Sequence, residues 1–321
     1  MNPNKLINRR IKRNRVVLHS FYLKNTATIL TENVGWGITS LNVPQTWTTT
    51  KGVKSKVLVI DTGFTKHADL LGAMIQTESR NFCSSEKQLI DLNGHSTHCC
   101  GIIGARNNDI GVVGVAPKCS IVTAKVLNKN GSGPINNMVK ALTYAKTLKP
   151  DVISMSLGWY SHEQQVHTLI KELHAMNIPI IVAAGNDGQK NSVNYPAKYP
   201  EVICVTAYDK NGSPAWFNSR GPEVDFSAPG VDIYSTWLNN TYAYASGTSM
   251  ATPFMAGVVA LLISKHKIQE AQTGMNDCKT VDQIRQHLLK YTDDKGVIGK
   301  DNTWGYGVIN PEKLINHNCN Q

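Results

Sequence analysis

Short, almost uninterrupted apolar runs alternate along this chain with longer segments whose apolar residues recur every three or four positions. The runs at 56–61, 120–127, 151–156, 179–184 and 201–206 read as strands. Their lack of alternation is what strands covered on both faces require. The segments 95–104, 134–147, 163–176, 248–266 and 280–291 carry helical spacing. Repeated strand-then-helix order predicts an α/β fold with a parallel sheet between two layers of helices. Gly and Asn mark the joints, as in Asn128-Lys-Asn-Gly131 and Gly185-Asn-Asp-Gly188. The polar stretch 267–282 reads as a surface loop between two helices.

The length of 321 residues suits one large domain. No apolar run approaches the roughly 18 residues of a membrane span, so none is expected. The formal net charge is +10, and its placement matters more than its size. Lys5, Arg9, Arg10, Lys12, Arg13, Arg15 and Lys24 put seven positive charges, with no acid, into residues 1–30. The expected division is therefore a basic N-terminal extension, 1–30, and a nearly balanced body, 31–321. The arm reads either as a solvated tail or as a contact for a polyanion. Few aromatics interleave with its charges, which gives base stacking little support.

Seven cysteines form no regular framework and match no zinc spacing, so reduced thiols in an intracellular setting are the simplest account. Residues 16–23 are short for a signal peptide and are broken by His19 and Ser20, which points the same way.

Three segments carry candidate chemistry. Ser249 lies in Gly-Thr-Ser-Met-Ala-Thr-Pro (247–253) ahead of an apolar helix, whose free N–H groups and partial positive charge suit a forming anion. Asp61 ends the apolar strand 57–60. His95 and His98 share the segment Asn-Gly-His-Ser-Thr-His-Cys-Cys-Gly (93–101), and either could serve as a base. Alone, each residue has an ordinary explanation as a turn former or helix cap. Together they run Asp, His, Ser along the chain, which is neither the chymotrypsin nor the α/β-hydrolase order.

On these motifs the chain resembles the subtilases, the subtilisin-like serine proteases, over roughly residues 32–315. The resemblance implies a doubly wound sheet in a single domain and an endopeptidase. It makes His95, not His98, the base, with Asp61 as its orienter and Ser249 as the nucleophile. Ser96 departs from the family's Gly and is expected to crowd the site slightly. Asn186, in Ala-Ala-Gly-Asn-Asp-Gly (183–188), matches the family's oxyanion donor. Gly131, Ser132 and Gly133 resemble one edge of a substrate cleft and Ser156, Leu157 and Gly158 the other, so that an extended peptide would pair between them. Ala183, Ala184 and Gly158 leave room for a large apolar side chain at P1, the residue before the cut bond, with Asn194 near the pocket floor. Calcium is the expected ligand: Glu32, Asp69, Asn108 and the carbonyls of Arg106, Ile110 and Val112 would hold it, oxygens of the kind calcium takes. A weaker second site would use carbonyls of Ala197, Tyr199 and Val202. Cys99 stands where proteinase-K-like members carry a thiol, and Met250 follows the nucleophile.

The expected partners are protein or peptide substrates, and the chain is expected to be monomeric and, in style, near the intracellular subtilisins. Residues 1–30 are too few for a prodomain. Because 16–31 can extend as a strand just ahead of the body, this arm is expected to lie in or near the cleft and restrain it. Two other readings stand beside a general endopeptidase: a dedicated processing protease, and a catalytically silent binding protein on the same fold.

Overall fold

The computed structural model describes residues 15–27 and 31–319. In chain order its strands are β1 Arg15–Val17, β2 Tyr22–Ala27, β3 Lys56–Asp61, β4 Arg80–Asn81, β5 Ser120–Lys125, β6 Ser132–Pro134 and β7 Val152–Met155. They continue with β8 Ile180–Ala183, β9 Ile203–Tyr208, β10 Phe226–Pro229, β11 Ile233–Trp237, β12 Thr241–Ser246, β13 Thr292–Asp293 and β14 Val308–Ile309. The helices are α1 Trp36–Ser40, α2 Val43–Thr46, α3 His95–Gly104, α4 Ile135–Leu148, α5 Gln164–Ala175, α6 Thr248–Thr273, α7 Val281–Lys290 and α8 Pro311–Asn316.

Nine strands form one sheet in the order β13-β14-β10-β9-β8-β7-β3-β5-β4, and every pairing in it is parallel except β13 with β14. The apolar runs explain this: β3, β7, β8 and β9 are buried almost throughout, because helices cover both faces. One layer packs α3 and α6 against Val57, Val59, Ile181 and Val205; the other packs α4 and α5 against Leu58, Ile60, Ile153 and Val182. This is the expected doubly wound α/β fold. Helix α6 is long and apolar enough to cross a membrane by length and composition, but 89% of its most apolar window is buried inside the body.

The stretch 267–282 is not the loop expected. Helix α6 runs on to Thr273, carried by Gln269, Glu270, Ala271 and Gln272, and stops where Gly274 turns left-handed at φ 73°. Strands β10, β11, β12 and β14 are also absent from the expected set. β11, β12 and the arm strand β2 make a separate antiparallel sheet, while β1 pairs with β6.

Candidate active site

Asp61 is the last residue of β3, at the carboxyl edge of the sheet, where open α/β sheets place ligands. His95 opens α3, and its Nδ1 lies 2.9 Å from both Asp61 carboxylate oxygens. Both side chains are fully buried. Their geometry is fixed by a residue that the motifs did not single out. Asp91 accepts from the backbone N–H groups of Asn93, Gly94 and Thr97, at 2.9 Å each, and so caps the start of α3. It also accepts from the Thr62 hydroxyl, which in turn accepts from Ser96 N–H at 3.0 Å. The strand end holding Asp61 is thereby tied to the helix end holding His95. An Asp two residues before an Asn-Gly pair was the available signal.

His98 is not a second base. Its Nε2 faces the carbonyls of Ile233 and Ala243 at 3.1 and 3.0 Å, so that nitrogen carries a proton and donates. Burial lowers its pKa to about 4 and keeps it neutral. Ser96 does not crowd the site either: its hydroxyl turns toward the Cys100 sulfur, 4.0 Å away.

Ser249 is the second residue of α6. Four residues on, Pro253 has no N–H to give the Ser249 carbonyl. That carbonyl instead accepts from the Ser156 hydroxyl at 2.9 Å and the Cys99 thiol at 3.5 Å, which locks the Ser249 backbone to the end of β7 and the face of α3. The Ser249 hydroxyl donates to the Ser156 carbonyl at 3.3 Å, and His95 Nε2 is buried without a hydrogen-bond partner among the described residues. Cys99 is fully buried, with its sulfur 3.9 Å from His95 Nδ1. Burial, with Asp61 beside it, pushes this thiol's pKa well above its ordinary value. Met250 is fully buried in the core. Phe254 and Met255 pack there too, as expected for the changed end of the motif.

Asn186 follows β8. Its Oδ1 accepts from the Thr248 N–H at 3.0 Å and the Thr248 hydroxyl at 2.8 Å, which aims Nδ2 outward. There Nδ2 meets the carbonyl of Ser20 at 2.7 Å, a residue of the arm. Residues 15–21 run through the cleft as a peptide. Val17 exchanges both backbone hydrogen bonds with Gly158, at 3.0 and 2.9 Å, and β1 pairs antiparallel with β6, Val17 opposite Ser132 and Val16 opposite Gly133. Leu18 N–H donates to Gly131 at 2.9 Å. Gly158 must lack a side chain here, since a Cβ would lie 2.6 Å from the His19 ring. Phe21 then packs its ring 5.1 Å from His95, and Tyr22 lies against Trp216 and Phe217 as the arm leaves. The charged residues Lys5, Arg9, Arg10, Lys12 and Arg13, on which polyanion contact would rest, lie outside the described residues.

His19 fills the pocket between Gly158, Leu157 and Ala183. Burial lowers its pKa to about 4; nearby Asp187 pulls the other way, and His95 adds to the lowering. Asn194, expected at the pocket floor, donates to Asp187 at 2.9 Å and sits against Gly185. One register feature stands out: His19 fills the side-chain pocket, yet the carbonyl on Asn186 belongs to Ser20. A scissile residue supplies both, and here two neighbours divide them.

The loop 106–112 brings Asn108 beside two of the other expected cation ligands, Asp69 and Glu32. Asp69 Oδ2 accepts from Val112 N–H at 2.7 Å. Its other oxygen is buried without a hydrogen bond of ordinary geometry, and the carboxyl faces Tyr242 and Asn108. Burial pushes Asp69 up to about 6. Glu32 reaches the loop from outside, accepting from Asn107 Nδ2 at 2.6 Å and from Asn108 N–H at 2.8 Å. A buried carboxylate oxygen without a donor, beside a second carboxylate and an amide oxygen, is a donor set that fits a hard cation. The Arg106 guanidinium points away, to the carbonyls of Pro117 and Cys119. At the second expected cation site, two of the three carbonyls already accept hydrogen bonds. The Tyr199 carbonyl accepts from Val202 N–H at 3.3 Å, and the Val202 carbonyl is taken by the Arg285 guanidinium.

The cysteine reading also changes. Cys278 and Cys319 are joined in a disulfide, and five others remain free and buried.

Comparison with known proteins agrees with this geometry. Residues 52–307 match the subtilase family. Subtilisin DY of Bacillus licheniformis is 39% identical over 266 residues, covering 82% of this chain and 91% of its own. The thermostable alkaline protease of Halalkalibacterium halodurans is 38% identical over 289 residues, 89% of this chain and 74% of its own. The minor extracellular protease Epr of Bacillus subtilis is 37% identical over 275 residues, 85% of this chain but only 40% of its own length. With a match covering most of the chain and relatives this similar, the chain belongs to the subtilase family and is a subtilisin-type serine endopeptidase.

Proposed function

We propose that Asp61, His95 and Ser249 act as one catalytic unit, with Asn186 as oxyanion donor, and that the arm restrains this unit by occupying its cleft. The observation that carries the reading is the Asn186–Ser20 hydrogen bond, which sets a peptide carbonyl against the proposed oxyanion donor beside Ser249. His95 Nε2 takes the Ser249 proton and later gives it to the leaving amine, while Asp61 holds Nδ1–H and favours the imidazolium. In subtilisin itself, loss of the oxyanion amide costs roughly 10²–10³ in turnover. For this unit to act, the Ser249 hydroxyl must leave the Ser156 carbonyl and turn to His95. A substrate must also present one residue for both the pocket and Asn186, which the arm does not. That mismatch supports restraint over rapid self-cleavage.

Substrates bind as an added strand between 131–133 and 156–158, through the main-chain bonds that the arm makes. The pocket takes a large side chain at P1. Gly158, Leu157 and Ala183 suit an apolar body, while Asp187, held by Asn194, suits a polar or positive tip. Calcium held by Glu32, Asp69, Asn108 and the loop carbonyls would neutralise the buried Asp69 carboxylate and fix the loop.

Labelling with a fluorophosphonate probe tests the assignment. The parent chain should be labelled and Ser249→Ala should not. Equal labelling of both would place the nucleophile elsewhere.

A further inference from the structure

Far from the cleft, at the end of α6, three side chains with soft donor atoms converge. His266, Cys278 and Cys319 bring one imidazole nitrogen and two sulfurs within 4.8 Å of one another. His266 is 1% exposed, Cys278 is buried and Cys319 half-buried. The fold makes this cluster from three separate places: the buried face of α6, the turn before α7, and the chain after α8. None of the three takes part in peptide hydrolysis.

We propose that, once the Cys278–Cys319 disulfide is reduced, these residues form a site for a thiolate-binding divalent cation such as zinc. The His266 Nε2 to Cys319 Sγ separation is 3.6 Å. Ligands about 2.0–2.1 and 2.3 Å from a tetrahedral ion stand roughly 3.5–3.6 Å apart, so this edge is already at the distance such an ion sets. A second, independent observation concerns the back of the ring. His266 Nδ1 lies 2.9 Å from the Asp277 carboxylate. The two atoms are close without hydrogen-bond alignment, and a small rotation of the ring would let the carboxylate hold the proton on Nδ1 and leave the Nε2 lone pair for a metal. The neighbouring Lys265 ammonium is committed to the His317 carbonyl at 2.5 Å. Two thiolates and an imidazole select zinc and its neighbours over calcium, so this site and the oxygen-lined loop would not compete for one ion. An open cavity of about 570 Å³, lined by His266, Cys278, Asn276 and Glu270, gives an ion a way in and water a way to complete the coordination.

The exchange balances as follows. A dithiol reductant gives two electrons and two protons to the disulfide and becomes a cyclic disulfide; the S–S bond breaks and two thiols form. Each thiol releases its proton to solvent as the metal binds. The chain end after α8 would thus be tied to α6 and α7 by a covalent bond in oxidising surroundings and by a metal in reducing ones.

The test uses full-length Ser249→Ala chain, reduced with a dithiol, desalted without oxygen, confirmed folded by circular dichroism and titrated with Co²⁺. The expected result is one Co²⁺ per chain with a thiolate charge-transfer band and tetrahedral visible bands. Both should be absent from the oxidised chain, lost in Cys319→Ser, weakened at least tenfold in His266→Gln and kept in Cys99→Ser. The Cys99 variant matters because Asp61, His95 and Cys99 form the other soft cluster among the described residues. No charge-transfer band in the reduced, folded chain, or an equal band with the disulfide intact, overturns the proposal. So does a band that follows Cys99 and not Cys319.

Discussion

The amide of Asn186 donates to the carbonyl of Ser20 at 2.7 Å, while the neighbouring His19, not Ser20, fills the pocket of the cleft. On the proposed assignment of the site, the chain is both enzyme and occupant of its own cleft, one residue out of the register that cutting requires. A tethered segment has an effective concentration near millimolar, so even weak intrinsic docking competes with free peptide.

Loosening the arm should raise activity. Val17→Pro removes the N–H that donates to Gly158 and forbids the strand pairing, without touching the body. We expect kcat/KM on a small peptide substrate to rise several-fold in this variant, and likewise in a chain starting at Thr31. An unchanged value in both would mean that the arm does not gate the site.

The restraint should weaken in acid. His19 is neutral when docked, with its pKa lowered from 6.5 to about 4 by burial. A depressed docked value means that docking is at full strength above the free value of 6.5. It is lost progressively as pH falls from there toward 4. Linkage gives a weakening of about tenfold between pH 7.5 and 5.5. The readout is the ratio of kcat/KM for the full chain to that for the chain starting at Thr31. His19→Phe should flatten the ratio; a ratio independent of pH in the parent would remove His19 from the account.

Calcium should raise the melting temperature, because Glu32, Asp69 and Asn108 come together only in the folded chain. Binding to the native state alone is worth about 2.7 kcal/mol at a hundred times Kd. Asp69→Asn should abolish most of the calcium-dependent shift. A melting curve indifferent to chelator in metal-free buffer would count against the site.

Mercurials should inhibit slowly, since Cys99 is wholly buried behind His95 and its thiol is held protonated. Cys99→Ala should resist. Equal inhibition of parent and variant would move the effect to another cysteine.

Much of the body could be read from the chain because its pattern is local. The runs at 56–61 and 151–156 became β3 and β7, and α3 begins at His95 as expected. Ser249, His95, Asp61 and Asn186 each sit in a short motif, so their convergence followed from the resemblance. Less local features escaped. Asp91 matters through five hydrogen bonds to four residues, of which the Asn-Gly pair after it was the one local hint. Strands β11 and β12 pair with each other, and the third strand of that sheet, β2, comes from the distant arm. Tyr242 reaches the 106–112 loop from β12, where a Cβ on Gly111 would lie 1.9 Å from its hydroxyl. Cys278 and Cys319 are 41 residues apart, and only the packing of α8 brings them together.

The central claim is that Ser249 and His95 work as one unit on a peptide bond. The direct measurement is kcat on a small peptide for the parent, Ser249→Ala, His95→Ala and the double variant. The account predicts that each single change costs on the order of 10⁶, the scale measured for subtilisin itself, and that the double change is little worse. Losses that multiply in the double variant, or a His95→Ala chain that keeps most of its activity, would contradict it.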